Sequence, residues 1–178
     1  MRIFVGEGSR YPSEKCYECA AEAIGEFIAG KSYGFVFGGC NSGMMGLTYR
    51  KVVENPNCEI TAIVDKAYES DLDQLEFKYG HVASTLAQRK DLILGLSDVL
   101  VFLPGGIGTI DELMTAIEAK RSGEYKGQIV IVNVNSFYDN LIRQISLARW
   151  QGLCEDIDQY CRILPNAREA ILFLEETT

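Results

Sequence analysis

Val99-Leu100-Val101-Phe102-Leu103-Pro104-Gly105-Gly106-Ile107-Gly108-Thr109-Ile110-Asp111-Glu112 is the stretch on which the fold turns. Val99–Leu103 is apolar without a break, the pattern of a strand buried on both faces. Pro104 ends that strand, and Gly105, Gly106 and Gly108 open the backbone after it. The following residues read as a helix. Thr109 stands at its N-cap, and Thr109-Ile110-Asp111-Glu112 matches a capping box in which Glu112 reaches back to the N-cap amide. A helix opened by glycines directly after a strand presents unpaired N–H groups, a cradle for phosphate. Two neighbouring carboxylates would repel that phosphate, so Asp111 and Glu112 must face another part of a ligand. A ribose, with vicinal hydroxyls that donate to carboxylates, is such a part.

Outward from this stretch, short apolar runs alternate with helical patterns. Arg2–Val5, Phe35–Phe37, Ile60–Val64 and Ile129–Val134 read as further strands. Helices are expected from about Ser13 to Ala29, through about Val53, over Ser84–Leu96, from Tyr138 to Trp150 and over Ala167–Leu174. Strands alternating with helices predict an α/β fold, a Rossmann-like doubly wound parallel sheet with helices on both faces, as one domain over residues 1–178. Ligands of such sheets bind beyond the carboxyl ends of the strands, and a second glycine turn, Gly38-Gly39-Cys40-Asn41-Ser42-Gly43-Met44-Met45-Gly46, falls at such an end. Alone it fits tight packing as well as ligand binding. A dinucleotide site with Asp65 on a ribose is a further option, but the glycine spacing differs from the dinucleotide fingerprint. Asp65–Gly80, rich in charge and tyrosine, reads as an irregular loop or lid over the site.

In the helix at Ser84–Leu96, Arg89 and Lys90 fall on the apolar side of a wheel drawn at ~100° per residue. An unpaired buried cation costs several kcal/mol. Their heads therefore meet anions, either Glu112, Asp111 or a ligand phosphate, in preference to snorkelling past the helix edge.

Composition bounds the partners. The chain has 178 residues and a net charge of −8, which argues against nucleic-acid polymers and anionic membranes as partners. The first residues are too short an apolar run for a signal peptide and no stretch reaches the length of a membrane span, so a cytoplasmic protein is expected. Cys16-x-x-Cys19 lies in a helical pattern with one histidine, His81, in the whole chain; free thiols are expected rather than a metal or redox site. His81 reads as surface or loop. Tyr11, Tyr68 and Tyr79 sit in expected loops where a ring can stack on a base, and Trp150 reads as core or interface.

Together, Gly38-Gly39 with Gly43-Met44-Met45-Gly46, Arg89-Lys90, Pro104–Glu112 and Asn133-Val134-Asn135-Ser136-Phe137-Tyr138 resemble the LOG (Lonely Guy) family in order and spacing, over most of the chain. The resemblance implies hydrolysis of the N-glycosidic bond of a nucleoside 5′-monophosphate to free base and ribose 5-phosphate, with no metal or cofactor. It implies Arg89 and Glu112 as catalytic residues. Gly39, Ser42, Gly43 and Met44 of the first turn, Lys90, and Gly105, Gly106, Ile107, Gly108, Thr109 and Asp111 are the expected substrate contacts. It also implies a homodimer or higher homo-oligomer, with the helix at Leu113–Ala119 and that from Tyr138 as candidate faces. Nothing marks the Schiff-base lysine that the family's older description as a lysine decarboxylase requires. The chain departs from the family at Val5-Gly6-Glu7-Gly8-Ser9, in place of Cys-Gly-Ser-Ser, and before Arg89. These changes lie around the expected base and ribose pockets and bear on the base more than on the reaction. A sugar transferase on the same scaffold and a non-enzymatic nucleotide or cofactor carrier remain as alternatives.

Overall fold

A computed structural model describes residues 1–177. Seven strands, β1 (Arg2–Gly6), β2 (Gly34–Phe37), β3 (Ile60–Asp65), β4 (Tyr79–Ala83), β5 (Val99–Phe102), β6 (Gln128–Val132) and β7 (Arg162–Leu164), form one sheet in the order β4-β3-β2-β1-β5-β6-β7. Every pairing is parallel. Six helices connect and cover them: α1 (Lys15–Lys31), α2 (Gly43–Val53), α3 (Leu86–Leu96), α4 (Ile107–Ser122), α5 (Asp139–Trp150) and α6 (Ala167–Thr177).

The period of two along a strand divides the core between the two faces. Ile3 and Val5 of β1 pack with Ile24 and Ile28 of α1, Met44 and Val52 of α2, and Leu174 of α6. Phe4, between them, turns to the other face and packs with Ile93 of α3 and with Leu113, Ala116 and Ile117 of α4. A doubly wound α/β sheet is thus what the apolar runs require. Its switch point lies between β1 and β5, the first strands of the two windings, and there the connecting loops part to leave a crevice.

Several boundaries differ from the sequence reading. β4 and β7 were not expected. Both are edge strands with half-exposed residues, so neither shows the unbroken apolar run of a central strand. His81 and Tyr79 therefore lie on β4 rather than in a loop. Asp65–Gly80 is not irregular throughout, since a 3-10 segment covers Lys66–Gln74 and the Asp65 side chain caps it through the Ala67 amide at 3.0 Å.

The capping box expected at α4 does not form. The helix starts three residues earlier, at Ile107, with Gly106 as N-cap, and Thr109 lies buried inside its first turn. A variant of the box, with its return bond one residue before the N-cap Thr85, forms instead at α3. There Thr85 Oγ1 accepts from the Gln88 amide at 3.1 Å, and Gln88 Oε1 accepts from the Ser84 amide at 2.7 Å. The apolar side of Leu113–Ala119 packs against the sheet, while Met114 of the same stretch is exposed. Trp150 is 82% exposed, so it is not core. Among the described residues no helix is long and apolar enough to cross a membrane, no group of His, Cys, Asp and Glu could hold a metal ion, and the six cysteines are free thiols.

Candidate active site

A cavity of about 770 Å³ opens over the switch point, at the carboxyl ends of β1, β2, β3 and β5. This size lies in the range of small-ligand sites. One wall is the Pro104–Thr109 turn and the start of α4. The first bond of the α4 ladder runs from the Ile110 amide to the Gly106 carbonyl (3.0 Å), so the amides of Ile107, Gly108 and Thr109 lie outside that ladder and carry the positive end of the helix dipole. Thr109 sits directly under the turn. A Cβ at Gly105 would come within 2.2 Å of its Oγ1, so only glycine lets the backbone close over the threonine.

Arg89 and Glu112 meet on the same wall. They are paired through Nη1 and Oε1, and their side chains are 16% and 11% exposed. Arg89 Nε also donates to the Ile63 carbonyl at the end of β3 (3.2 Å). Gly38 makes room for the guanidinium, because a Cβ there would approach Arg89 Nη2 to 2.7 Å and Met45 Cε to 3.0 Å. Burial pushes the Glu112 carboxyl above its ordinary range, and the Arg89 charge and hydrogen bond oppose that rise. Behind Glu112, the buried Tyr138 donates to the Leu103 carbonyl at 2.6 Å, and burial with the nearby Glu112 charge raises its phenol.

Both cations of α3 therefore meet carboxylates of α4, the outcome their place on the helix wheel called for. Lys90 Nζ lies 2.9 and 3.0 Å from the two oxygens of Asp111. That pair is a second tie between α3 and α4, and neither residue lines the cavity.

Of the remaining expected contacts, Met44, Gly105, Gly106, Ile107, Gly108 and Thr109 line the cavity, and Gly39, Ser42 and Gly43 do not. Gly39, at φ +72°, passes so close to β3 that a Cβ would meet Val64 Cγ1 at 2.3 Å. Gly43, at φ +60°, leaves no room for a Cβ, which would clash with the Ser9–Arg10 backbone, and Ser42 is the N-cap of α2. These three shape the turn, and Gly38 is the glycine of the motif that reaches the wall, beside Cys40, Met44 and Met45.

The β1–α1 loop, whose Glu7-Gly8-Ser9 the sequence placed around the base and ribose pockets, lines the cavity, while Arg10 and Tyr17 were not singled out. Glu7, Arg10, Tyr17, Asp71 and Phe137 line the cavity, together with Asp65, Tyr11 and Tyr68. The signal for the loop was positional, since it follows the strand that stands beside β5 at the switch point. Tyr79 is not among the lining residues.

Comparison with known proteins sets this geometry in a family. Residues 45–172 match the family model described as possible lysine decarboxylase. A cytokinin riboside 5′-monophosphate phosphoribohydrolase, LOG, of Oryza sativa subsp. japonica is 30% identical over 176 residues, covering 98% of this chain and 73% of the relative. An Arabidopsis thaliana enzyme with the same activity in its name is 27% identical, covering 98% and 82%. Among solved structures, the molybdenum cofactor carrier protein of Chlamydomonas reinhardtii superposes with a TM-score of 0.71 at 16% identity, covering 98% of this chain and 95% of that one. A molybdenum cofactor binding protein of Rippkaea orientalis superposes with a TM-score of 0.67 at 17% identity, covering 99% and 96%. At such identities these structures share the fold alone. The sequence relatives and the family match, which spans well over half of the chain, carry the assignment: the chain belongs to the LOG family.

Proposed function

We propose that this chain hydrolyses the N-glycosidic bond of a nucleoside 5′-monophosphate, releasing free base and ribose 5-phosphate. The observation that carries the reading is the shielded Arg89–Glu112 pair on the cavity wall, beside the amides of α4. Those amides and the Thr109 hydroxyl would hold the 5′-phosphate and so fix the sugar, with binding energy from the phosphate serving the reaction at C1′. Glu112 would face the ribose hydroxyls. As the C1′–N bond breaks, its electron pair leaves with the base and positive charge builds on the sugar. The Glu112 carboxylate stabilises that charge and takes a proton from the attacking water. The hydroxyl joins C1′, and the departing base gains a proton from solvent.

Arg89 keeps Glu112 ionised and aimed, while burial lifts the carboxyl towards the basicity that proton removal needs. Lys90 and Asp111, outside the cavity, would act by bracing α3 on α4. The lining carries no lysine, the residue a pyridoxal-phosphate decarboxylase requires. The relatives' names support the reaction class. A second copy of the chain would use the exposed Leu147 and Trp150 of α5 with Leu153 beyond it.

The test is Glu112→Gln. Base release from a panel of AMP, GMP, CMP, UMP and N6-modified AMP should fall by roughly a hundredfold or more, while affinity for the best substrate stays within a few-fold. Undiminished turnover in the variant removes Glu112 from this role. Release of base only when a second base is supplied would make the enzyme a transferase. Binding without any release would make it a carrier.

A further inference from the structure

Glu7, directly after β1, is only 3% exposed, yet it lines the cavity. Neither of its carboxyl oxygens has a hydrogen-bond partner among the described residues. The Thr48 hydroxyl beside it sends its own proton to the Ala21 carbonyl at 3.2 Å. A buried carboxyl without partners costs stability, and an apolar side chain of similar size would avoid that cost. Burial pushes the Glu7 carboxyl up to about 8. Near neutral pH it is therefore an acid with one donor and one acceptor to offer.

Its position within the crevice gives those groups an object. Arg89 and Glu112 come from α3 and α4, on the face of the sheet to which Phe4 turns. Glu7 continues the alternation of Ile3 and Val5 towards the opposite face, beside Met44 and Thr48 of α2. A nucleotide whose phosphate and sugar lie against α4 would extend its heterocycle across the crevice towards this second face. We propose that Glu7 recognises the base of the nucleotide, its neutral carboxyl donating O–H to a ring acceptor and accepting from an adjacent N–H on the heterocycle's edge. This rests on the nucleotide reading above and assigns the base-binding end of the same site.

Titration calorimetry of the full chain with AMP, purine riboside 5′-monophosphate and ribose 5-phosphate tests the assignment. Purine riboside 5′-monophosphate lacks the exocyclic amine that would pair with the Glu7 carbonyl. The wild type should bind it about tenfold more weakly than AMP. Glu7→Leu should weaken AMP by about tenfold and leave ribose 5-phosphate, which has no base, unchanged. Glu7→Gln, which keeps a donor beside an acceptor, should hold AMP within about threefold. Unchanged AMP affinity in Glu7→Leu, or equal weakening of AMP and ribose 5-phosphate, overturns the proposal. Should Glu7→Leu not fold, equal wild-type affinity for AMP and its desamino analogue overturns it just as well. Base release from AMP in the same samples keeps the two readings apart. Binding with these preferences but no release defeats the hydrolase reading and leaves Glu7 in its role, whereas no binding of AMP by the wild type overturns both.

Discussion

Gly38 is the residue on which the geometry of the site bears most tightly. Its missing side chain is the space that the Arg89 guanidinium occupies. In Gly38→Ala the added methyl and Nη2 would lie 2.7 Å apart, so the guanidinium must swing away from Glu112 or the turn must move. Loss of such alignment costs on the order of tenfold to a hundredfold in rate. Base release by Gly38→Ala should fall by that amount while its far-ultraviolet circular dichroism stays that of the wild type; wild-type kinetics would show that the arginine tolerates displacement. The neighbouring glycine shows how far a motif can be read alone. Gly39, not Gly38, was the expected substrate contact, but Gly39 answers to Val64 and Gly38 to Arg89. Only the path of β3 relative to the turn separates them.

Among the elements, central strands were legible and edges were not. β1, β2, β3, β5 and β6 are buried on both faces, and their apolar runs carry that fact in the sequence. β4 reads Tyr-Gly-His-Val-Ala and owes its conformation to pairing with β3, a contact its own residues do not encode. Helix starts failed in a similar way. Thr-x-x-Glu at 109–112 and Thr-x-x-Gln at 85–88 are equally good boxes on paper, and only the second caps a helix. At α4 the glycine turn supplies the N-cap, which lets the helix begin early and frees Glu112 to pair across to Arg89. The displaced cations of α3 were the better guide to the site. Charge on an apolar face demands a partner wherever the helix begins.

At the scale of the whole molecule, Glu7 links the site to global stability. Its carboxyl titrates near 4.5 when free and near 8 in the fold, so in the unfolded chain it loses its proton first as pH rises. Folding stability that is fully present below the lower value is therefore lost between the two and lost no further above the higher one. Each unit of displacement corresponds to about 1.4 kcal/mol. Relative to Glu7→Gln, the wild type should lose a few kcal/mol between pH 5 and pH 8. Urea unfolding followed by circular dichroism at those two values measures this, and parallel pH profiles would mean that the carboxyl is solvated or paired. The acid that costs the fold its stability is the one assigned to the base, so the site and the core compete for the same side chain.

Unfolding of this chain shows in circular dichroism better than in tryptophan emission, and the cause lies in α5. Trp150 is the single tryptophan of the chain and stands 82% exposed at the end of that helix, with Leu147 one turn before it and Leu153 beyond. An indole already in water has little to gain from unfolding, so its emission should sit at the red end of the tryptophan range in the native protein and move little in urea. The same indole makes the surface of α5 visible. If two copies meet there, the emission should shift to the blue as protein concentration rises and return on dilution, and a spectrum independent of concentration would leave α5 facing solvent.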